Sequence, residues 1–598
     1  MNQETETMFD LLIKGGLVVD GTLAEPVVQD VAVRDGRIVE VGQISGAAKE
    51  TVDATGCWVT PGFVDIHTHM DGQATWDPDF TPLVYHGVTT LVMGNCGVGF
   101  APVRPGQQHK LIELMEGVED IPGVALAEGV QWSWESFTDF MDALERTPRV
   151  MDYLVQMPHD PLRMYVMGER AVAQKSATEA DIAQMKALLR EALQAGAVGF
   201  STGRSDNHRT ALGEETPASE ATSAELRGLA GAFQGLDHGV IQVVSDFDLL
   251  KGPARFDGEF QLVEDMAQTS GRPLSMTWLQ RDPGGEQYLA IAERVEAAVA
   301  RGLPLHLQTA VRGIGVIQGL DASFHPFMGF PAYLEVAQLP LAQRAAALRE
   351  PARKAAILNG KSQRMSGDGT AIPPLVDILL AQIERISARM FPLTSDMNYE
   401  PAVTESFYVR AKQAGIPALE AMYDHLSAGD GSALIYFPIF NYNQGNLDVV
   451  RSMLDHPRAL YGLSDSGAHV GTVCDTSFSS FMLKHWVLDR AQNRLPLNQA
   501  VHMMSARNAR YLGLQDRGEI RVGQRADINL IDPKTLKLGA AELHRDLPGG
   551  GKRFVQKADG YRGTWVAGER TCEGGVLTGK RPGALVRMGK LEGHASVR

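Results

Sequence analysis

Two histidines one residue apart, His67 and His69, end a short apolar run that starts Gly62-Phe63-Val64-Asp65-Ile66. Residues i and i+2 of a strand point to one face, so both imidazoles are expected to leave the strand's C-terminal end together. Neutral imidazole is the commonest metal ligand, and a His-x-His pair at a strand end suits zinc. Cys96 stands in Gly94-Asn95-Cys96-Gly97, just past the next apolar run. A thiolate beside two imidazoles makes a good zinc donor set. Much later, Leu460 to Asp465 reads as an apolar run stopped by a carboxylate, followed by Ser466-Gly467-Ala468-His469. A carboxylate aimed from there can bind the metal and accept a proton from the water it acidifies. Taken singly, each of these residues also occurs as an ordinary strand end, packing cysteine or capping aspartate.

The elements that must position them read as alternating strands and helices, which implies βα units and a parallel sheet. Eight candidate strands are Trp58–His67, Val88–Gly94, Tyr153–Met157, Val198–Ser201, Val240–Ser245, Pro273–Trp278, Pro304–Thr309 and Leu460–Asp465. Between the third and fourth, Ser176-Ala177-Thr178-Glu179 has a capping-box pattern, and Ile182, Met185, Leu188, Leu189 and Leu193 repeat at helical spacing up to Gly196. Glu286 to Arg301 is a second clear helix, ended by Gly302. The fold class is α/β: a (β/α)8 TIM barrel over residues 61–515, whose active site lies at the strand C-termini. Residues 311–457 are too long for a barrel loop. They read as a largely helical insertion between strands 7 and 8: a lid and specificity element, or a structural or oligomer-contact insertion. Residues 1–60 and 516–598 supply short strands, among them a hairpin around Asp35-Gly36. These two ends are expected to build one small β domain.

Of the 598 residues, 44% are hydrophobic and 21% charged, and the net charge is −16. An acidic surface argues against nucleic-acid or anionic-membrane partners. Four cysteines in so long a chain form no disulfide framework, and a reducing, cytoplasmic location fits best. Met1 to Phe9 is acidic and polar, unlike a signal peptide. No apolar run approaches the ~20 residues of a membrane span.

With Pro61–His69, Gly87–Gly97, Pro158–Arg163, Ala195–Gly203, Leu463–Gly467, Ala506–Gly513, Asp516–Asp532 and Leu547–Gly560, the chain resembles the D-aminoacylase (N-acyl-D-amino-acid deacylase) branch of the amidohydrolase superfamily, amidohydrolase family 3. The resemblance implies a zinc-bearing TIM barrel, a β-sandwich built from both termini, and hydrolysis of a linear amide C–N bond in a small-molecule substrate. Carried onto this sequence, it gives His67 and His69 to one metal and Cys96 to the tighter, shared site, and makes Asp465 a metal ligand and the general acid/base. The family's strand-5 and strand-6 histidines are missing, since Ser245 and Met276 or Thr277 stand at those positions. Three outcomes follow: one zinc held by His67, His69, Cys96 and Asp465; a substitute ligand from His159, Asp246, His306 or His469; or a site without metal chemistry. Ligand arithmetic gives one tightly bound zinc per chain, with the second unsettled.

Around the mouth, His159 and Arg163 after the third strand, and Arg204, His208 and Arg209 after the fourth, are candidates for substrate contacts, as is His469. An arginine there can clamp a substrate carboxylate, or form a loop ion pair with Glu214 or Glu215. Lys552-Arg553 reads as solvated surface. The reading is a metal-dependent hydrolase of an N-acyl amino acid or related N-acyl amide. The alternatives are a hydrolase of a cyclic amide, carbamate or ester, and a metal-poor barrel that binds without turnover. A homo-oligomer is compatible with all three.

Overall fold

The structure is a computed structural model that describes residues 8–589 except 249–250, 282–284, 367–371 and 373. Eight parallel strands form one sheet in chain order: Phe63–Asp65, Val88–Met93, Asp152–Pro158, Gly199–Arg204, Val240–Ser245, Leu274–Thr277, Leu305–Thr309 and Ala459–Tyr461. They are numbered first to eighth below. A parallel bridge from Thr68 to Ser466 brings the eighth back to the first, so the sheet nearly closes. Val64, Ile66, Val92, Leu154, Val198, Val240 and Leu460 pack on Tyr511, Leu512 and Leu514 in one buried cluster. The chemistry-bearing residues His67, His69, Cys96 and Asp465 lie past the strand C-termini.

Helices return the chain between strands. Glu179–Ala195 starts at Thr178, not Ser176: Thr178 Oγ1 accepts from Asp181 N (3.2 Å), and Asp181 accepts from Thr178 N (2.8 Å). The shorter acid two positions beyond Glu179 makes the reciprocal cap. Gly196, at φ +111°, ends this helix as expected.

The strand expected over 58–67 is two. Trp58–Pro61 pairs with Leu17–Val18 and with Ile528–Ile531 in a second, nine-stranded sheet drawn from both chain ends, whereas Phe63–Asp65 belongs to the barrel. The switch falls at Gly62, where a Cβ would lie 2.1 Å from Thr89 Oγ1. Both halves of the second sheet share one core, with Leu11, Ile13 and Ile38 against Val59, Leu530 and Trp565. Asp35 and Gly36, both at positive φ, form the expected two-residue hairpin turn. Gly15-Gly16 is a register irregularity inside the continuous strand Phe9–Val18.

The insertion after the seventh strand is not purely helical. Gly315–Gln318, Leu434–Pro438 and Phe391–Leu393 form an antiparallel sheet inside it, with Leu434–Pro438 central. Among the described residues, no helix is long and apolar enough to cross a membrane.

Candidate metal and substrate site

The first strand stops at Asp65, and the next four residues bend over the mouth. Asp65 Oδ1 accepts from His67 N (3.1 Å), which fixes this turn. Thr68 Oγ1 donates to Val92 O (2.8 Å) and ties the turn to the second strand. His67, His69 and Cys96 are all buried, and one donor atom from each lies within 4.8 Å of the others. His67 Nε2 is 3.2 Å from Cys96 Sγ and 3.2 Å from Asp465 Oδ1; His69 Nε2 is 3.8 Å from the same oxygen.

The backbone that presents these groups is strained. Cys96 has φ +57°, and Leu463, Asp465 and His469 have φ of +59°, +45° and +48°. Left-handed conformations at non-glycine residues cost energy and cluster at functional sites. Neighbouring glycines allow the tight approach. A Cβ on Gly97 would lie 2.6 Å from Gly203 N, and one on Gly467 2.6 Å from His69 O.

Two contributors were not read from the sequence. Gln308 ends the seventh strand, with its Oε1 2.6 Å from His67 Nδ1 and its Nε2 donating to Ser275 Oγ (2.8 Å). This chain assigns the His67 proton to Nδ1 and turns the Nε2 lone pair towards Cys96 and Asp465. Such outer partners orient metal-binding imidazoles. A polar residue inside an apolar strand was the available signal. Glu119, the last residue of helix Gln108–Glu119, is 2% exposed, with Oε1 3.3 Å from His69 Nδ1 and Oε2 3.7 Å from His469 Nε2. No strand periodicity marks a helix end, so nothing in the sequence singled it out.

The electrostatics fit a cation. Burial, with the nearby carboxylates of Glu119, Asp465 and Asp71, pushes the Cys96 thiol well above its ordinary range. Burial likewise raises Asp465 to about 6, Asp71 to about 7 and Glu119 far above a normal carboxyl. It holds His67 down at about 4, hence neutral. Glu119 Oε1 and His69 Nδ1 are buried without a well-directed hydrogen bond. Buried acids with no lysine or arginine beside them, facing neutral imidazoles and a thiol, suit a divalent metal.

Above this cluster lies a cavity of about 460 Å³. His208 and His469 line it, as do Asp246, Thr277 and Arg281. The other sequence candidates do not. His159 is fully buried between Thr202 Oγ1 (2.9 Å) and Glu225 Oε1 (3.1 Å). Arg163 joins the same Glu225 (2.9 Å). Arg204 makes a buried two-pronged pair with Glu259, at 2.7 and 2.8 Å. Arg209 pairs with Glu215 (3.2 Å). None of His159, Arg163, Arg204 and Arg209 lines the cavity: the first three are held by Glu225 and Glu259 on other elements, and Arg209 by Glu215 of its own loop.

The substitute ligands fare similarly. His306 packs on Tyr511, ring centroids 5.3 Å apart, away from the cavity. Asp246 lines the cavity but is held by Arg281 (2.8 Å) and Ser205 Oγ (2.9 Å). Alternation along the fifth strand turns Gln242, Val244 and Asp246 inward: Gln242 Oε1 accepts from Cys96 N (2.8 Å), and the other two line the cavity. Ser245, between them, accepts from Phe247 N instead. On the sixth strand Thr277 reaches the cavity and Met276 is core.

A near-closed eight-stranded barrel with imidazole, thiolate and carboxylate donors at its mouth defines a metal-dependent hydrolase. The chain belongs to the amidohydrolase family, whose model matches residues 50–572. It is 26% identical to the D-aminoacylase of Alcaligenes xylosoxydans xylosoxydans over 593 residues, covering 98% of this chain and 99% of that protein. It is 27% identical to the N-acyl-D-aspartate deacylase of the same organism, over 97% and 95% of the two chains. Among solved structures, it is similar to N-acyl-D-glutamate deacylase from Bordetella bronchiseptica, with a TM-score of 0.62 and 23% identity, covering 97% of this chain and 100% of that one. That structure is a complex with zinc and a phosphonate inhibitor. The protein is thus an amide hydrolase acting on carbon–nitrogen bonds other than peptide bonds, and the reading as a barrel without turnover is set aside.

Proposed function

We propose that the protein hydrolyses the linear amide of an N-acyl amino acid or a related N-acyl amide, with one zinc per chain held by His67, His69 and Cys96 and with Asp465 as general acid/base. The observation that carries this is the convergence of the three donor atoms within 4.8 Å, with Asp465 Oδ1 3.2 Å from His67 Nε2. Zinc in such a donor set polarises a carbonyl oxygen and lowers the pKa of water to about 7. Gln308 keeps the His67 lone pair on Nε2, where a cation can use it. Asp465 takes the proton of the attacking water and returns it to the departing nitrogen. Its place beside the donor cluster, with Oδ1 3.2 Å from His67 Nε2, puts it within reach of both protons. His208 and His469 line the cavity as neutral imidazoles, since burial lowers both, and either can donate to a substrate oxygen. The relatives that act on N-acyl-D-aspartate and N-acyl-D-glutamate support the substrate class.

The test is a screen of N-acyl amino acids of both hands, with and without chelator, beside metal analysis of protein purified without added zinc. Turnover that disappears on chelation and returns with zinc is expected, at about one equivalent per chain. Hydrolysis indifferent to chelation, or none by the zinc-loaded protein, overturns the reading.

A further inference from the structure

Helix Pro374–Ala381 and the short helix Ile383–Ile386 that follows it border the cavity. Val376, Leu379, Leu380, Ile383 and Ile386 all line it. Their spacing is i, i+3, i+4, i+7 and i+10, the stripe of an amphipathic helix. Such a stripe normally disappears into a core. Here Leu379, Ile383 and Ile386 touch the insertion's own core on one side, yet all five stay partly exposed. On another side they border the space above His67, His69 and Cys96, which Phe437, Ile439 and Phe440 also border. The polar lining is of another kind: Ser205, Asn207, His208, Asp246 and Arg281, where Arg281 is the one lysine or arginine among the described lining residues.

From this two-sided lining we infer that the substrate's acyl half is bulky and apolar, a medium-length alkyl chain or an aryl group seated on the stripe. The amine half, with its polar groups, lies towards Arg281 and His208. The inference rests on the amide-hydrolase reading and narrows its substrate class. An apolar stripe left half-wet is unfavourable until something apolar covers it. A cavity of this size is also in the range that buries a drug-sized ligand. Each methylene moved from water onto such a wall is worth about fourfold in affinity, so an octanoyl group, with its longer chain, should outrun acetyl by up to about 10³–10⁴-fold in kcat/KM.

The experiment uses the zinc-loaded full chain and N-acetyl, N-octanoyl and N-benzoyl derivatives of one amine. Val376→Asp and Leu380→Asp are compared with wild type, because neither side chain packs on the insertion's core. The expected result is a preference for octanoyl and benzoyl over acetyl that falls at least about tenfold in each variant, while metal content holds. Calorimetry with decanamide reads the seat without turnover: binding to wild type and loss in Leu380→Asp are expected. Acetyl turned over as fast as octanoyl, a preference unchanged in both variants, or no decanamide binding overturns the inference. Decanamide binding that Leu380→Asp abolishes, in a protein that hydrolyses no amide, upholds the apolar seat and sinks the hydrolase reading instead.

Discussion

Two sets of polar side chains crowd the barrel mouth, and they differ in how they are satisfied. On the side of the third and fourth strands, His159, Arg163, Arg204 and Arg209 each meet a carboxylate: Glu225, Glu225 again, Glu259 and Glu215. On the side of the first, second and eighth strands, His67, His69, Cys96, Glu119 and Asp465 meet one another, with Gln308 and His469 at their edge, and among the described residues none of them is paired with a lysine or arginine. The first set is neutralised pairwise and holds elements together. The second is acidic, buried and without a cation of its own. Both sets look alike in a sequence, because both place ionisable residues just past strand ends. What separates them is the partner, which for His159, Arg163 and Arg204 lies tens of residues away.

The largest effect expected from this contrast is at Asp465. Asp465→Asn keeps the shape and loses the proton acceptor, so turnover should fall about 10²–10⁴-fold with the far-ultraviolet spectrum and unfolding midpoint unchanged. Retention of more than about a tenth of the wild-type rate removes Asp465 from the base role.

Arg204→Met should do the opposite. Both ends of its pair with Glu259 are nearly buried, with side chains 5% and 6% exposed. Stripping one partner from such a pair typically costs about 3–5 kcal/mol. The urea midpoint should drop accordingly, and the KM of protein that remains folded should not move. A KM raised with stability intact would return Arg204 to the pocket.

Gln308→Leu tests the outer ring of the acidic set. Losing the acceptor for His67 Nδ1 should weaken metal affinity about 10–100-fold, read by competition with a chelator, and Gln308→Glu should restore much of it. Unchanged affinity in Gln308→Leu would make the 2.6 Å contact incidental.

The same contrast explains what the sequence could and could not show. All eight barrel strands were legible, because buried parallel strands are continuous apolar runs bounded by glycine and proline. His67, His69, Cys96 and Asp465 were legible because each ends such a run. At the fifth strand the family resemblance put Ser245 at the missing histidine's position, while the pleat turns Val244 and Asp246 to the cavity. Glu119 and the pairing of Arg204 with Glu259 were not legible, since a helix end and a salt bridge across 55 residues leave no local period. The sheet within the insertion was hidden for a related reason: Leu434–Pro438 carries a terminal proline and pairs with strands more than 40 residues upstream.

The smallest expected effect sharpens the contrast from its weak end. Arg209 pairs with Glu215, but the two side chains are 23% and 45% exposed. Water and salt screen a pair that open, and exposed ion pairs contribute about 0–1 kcal/mol. Arg209 Nε also donates to Asp206 O (3.1 Å), so the side chain serves its own loop more than the cavity. Arg209→Ala should therefore shift the unfolding midpoint barely, by less than about 1 kcal/mol of stability, and leave kcat and KM within error for any N-acyl substrate. A KM that rises about tenfold or more, with stability unmoved, would show that the loop swings Arg209 onto a substrate carboxylate. In that event a satisfied ion pair in the free protein is no guide to what binds substrate, and the division between the two sets of mouth residues fails at its boundary.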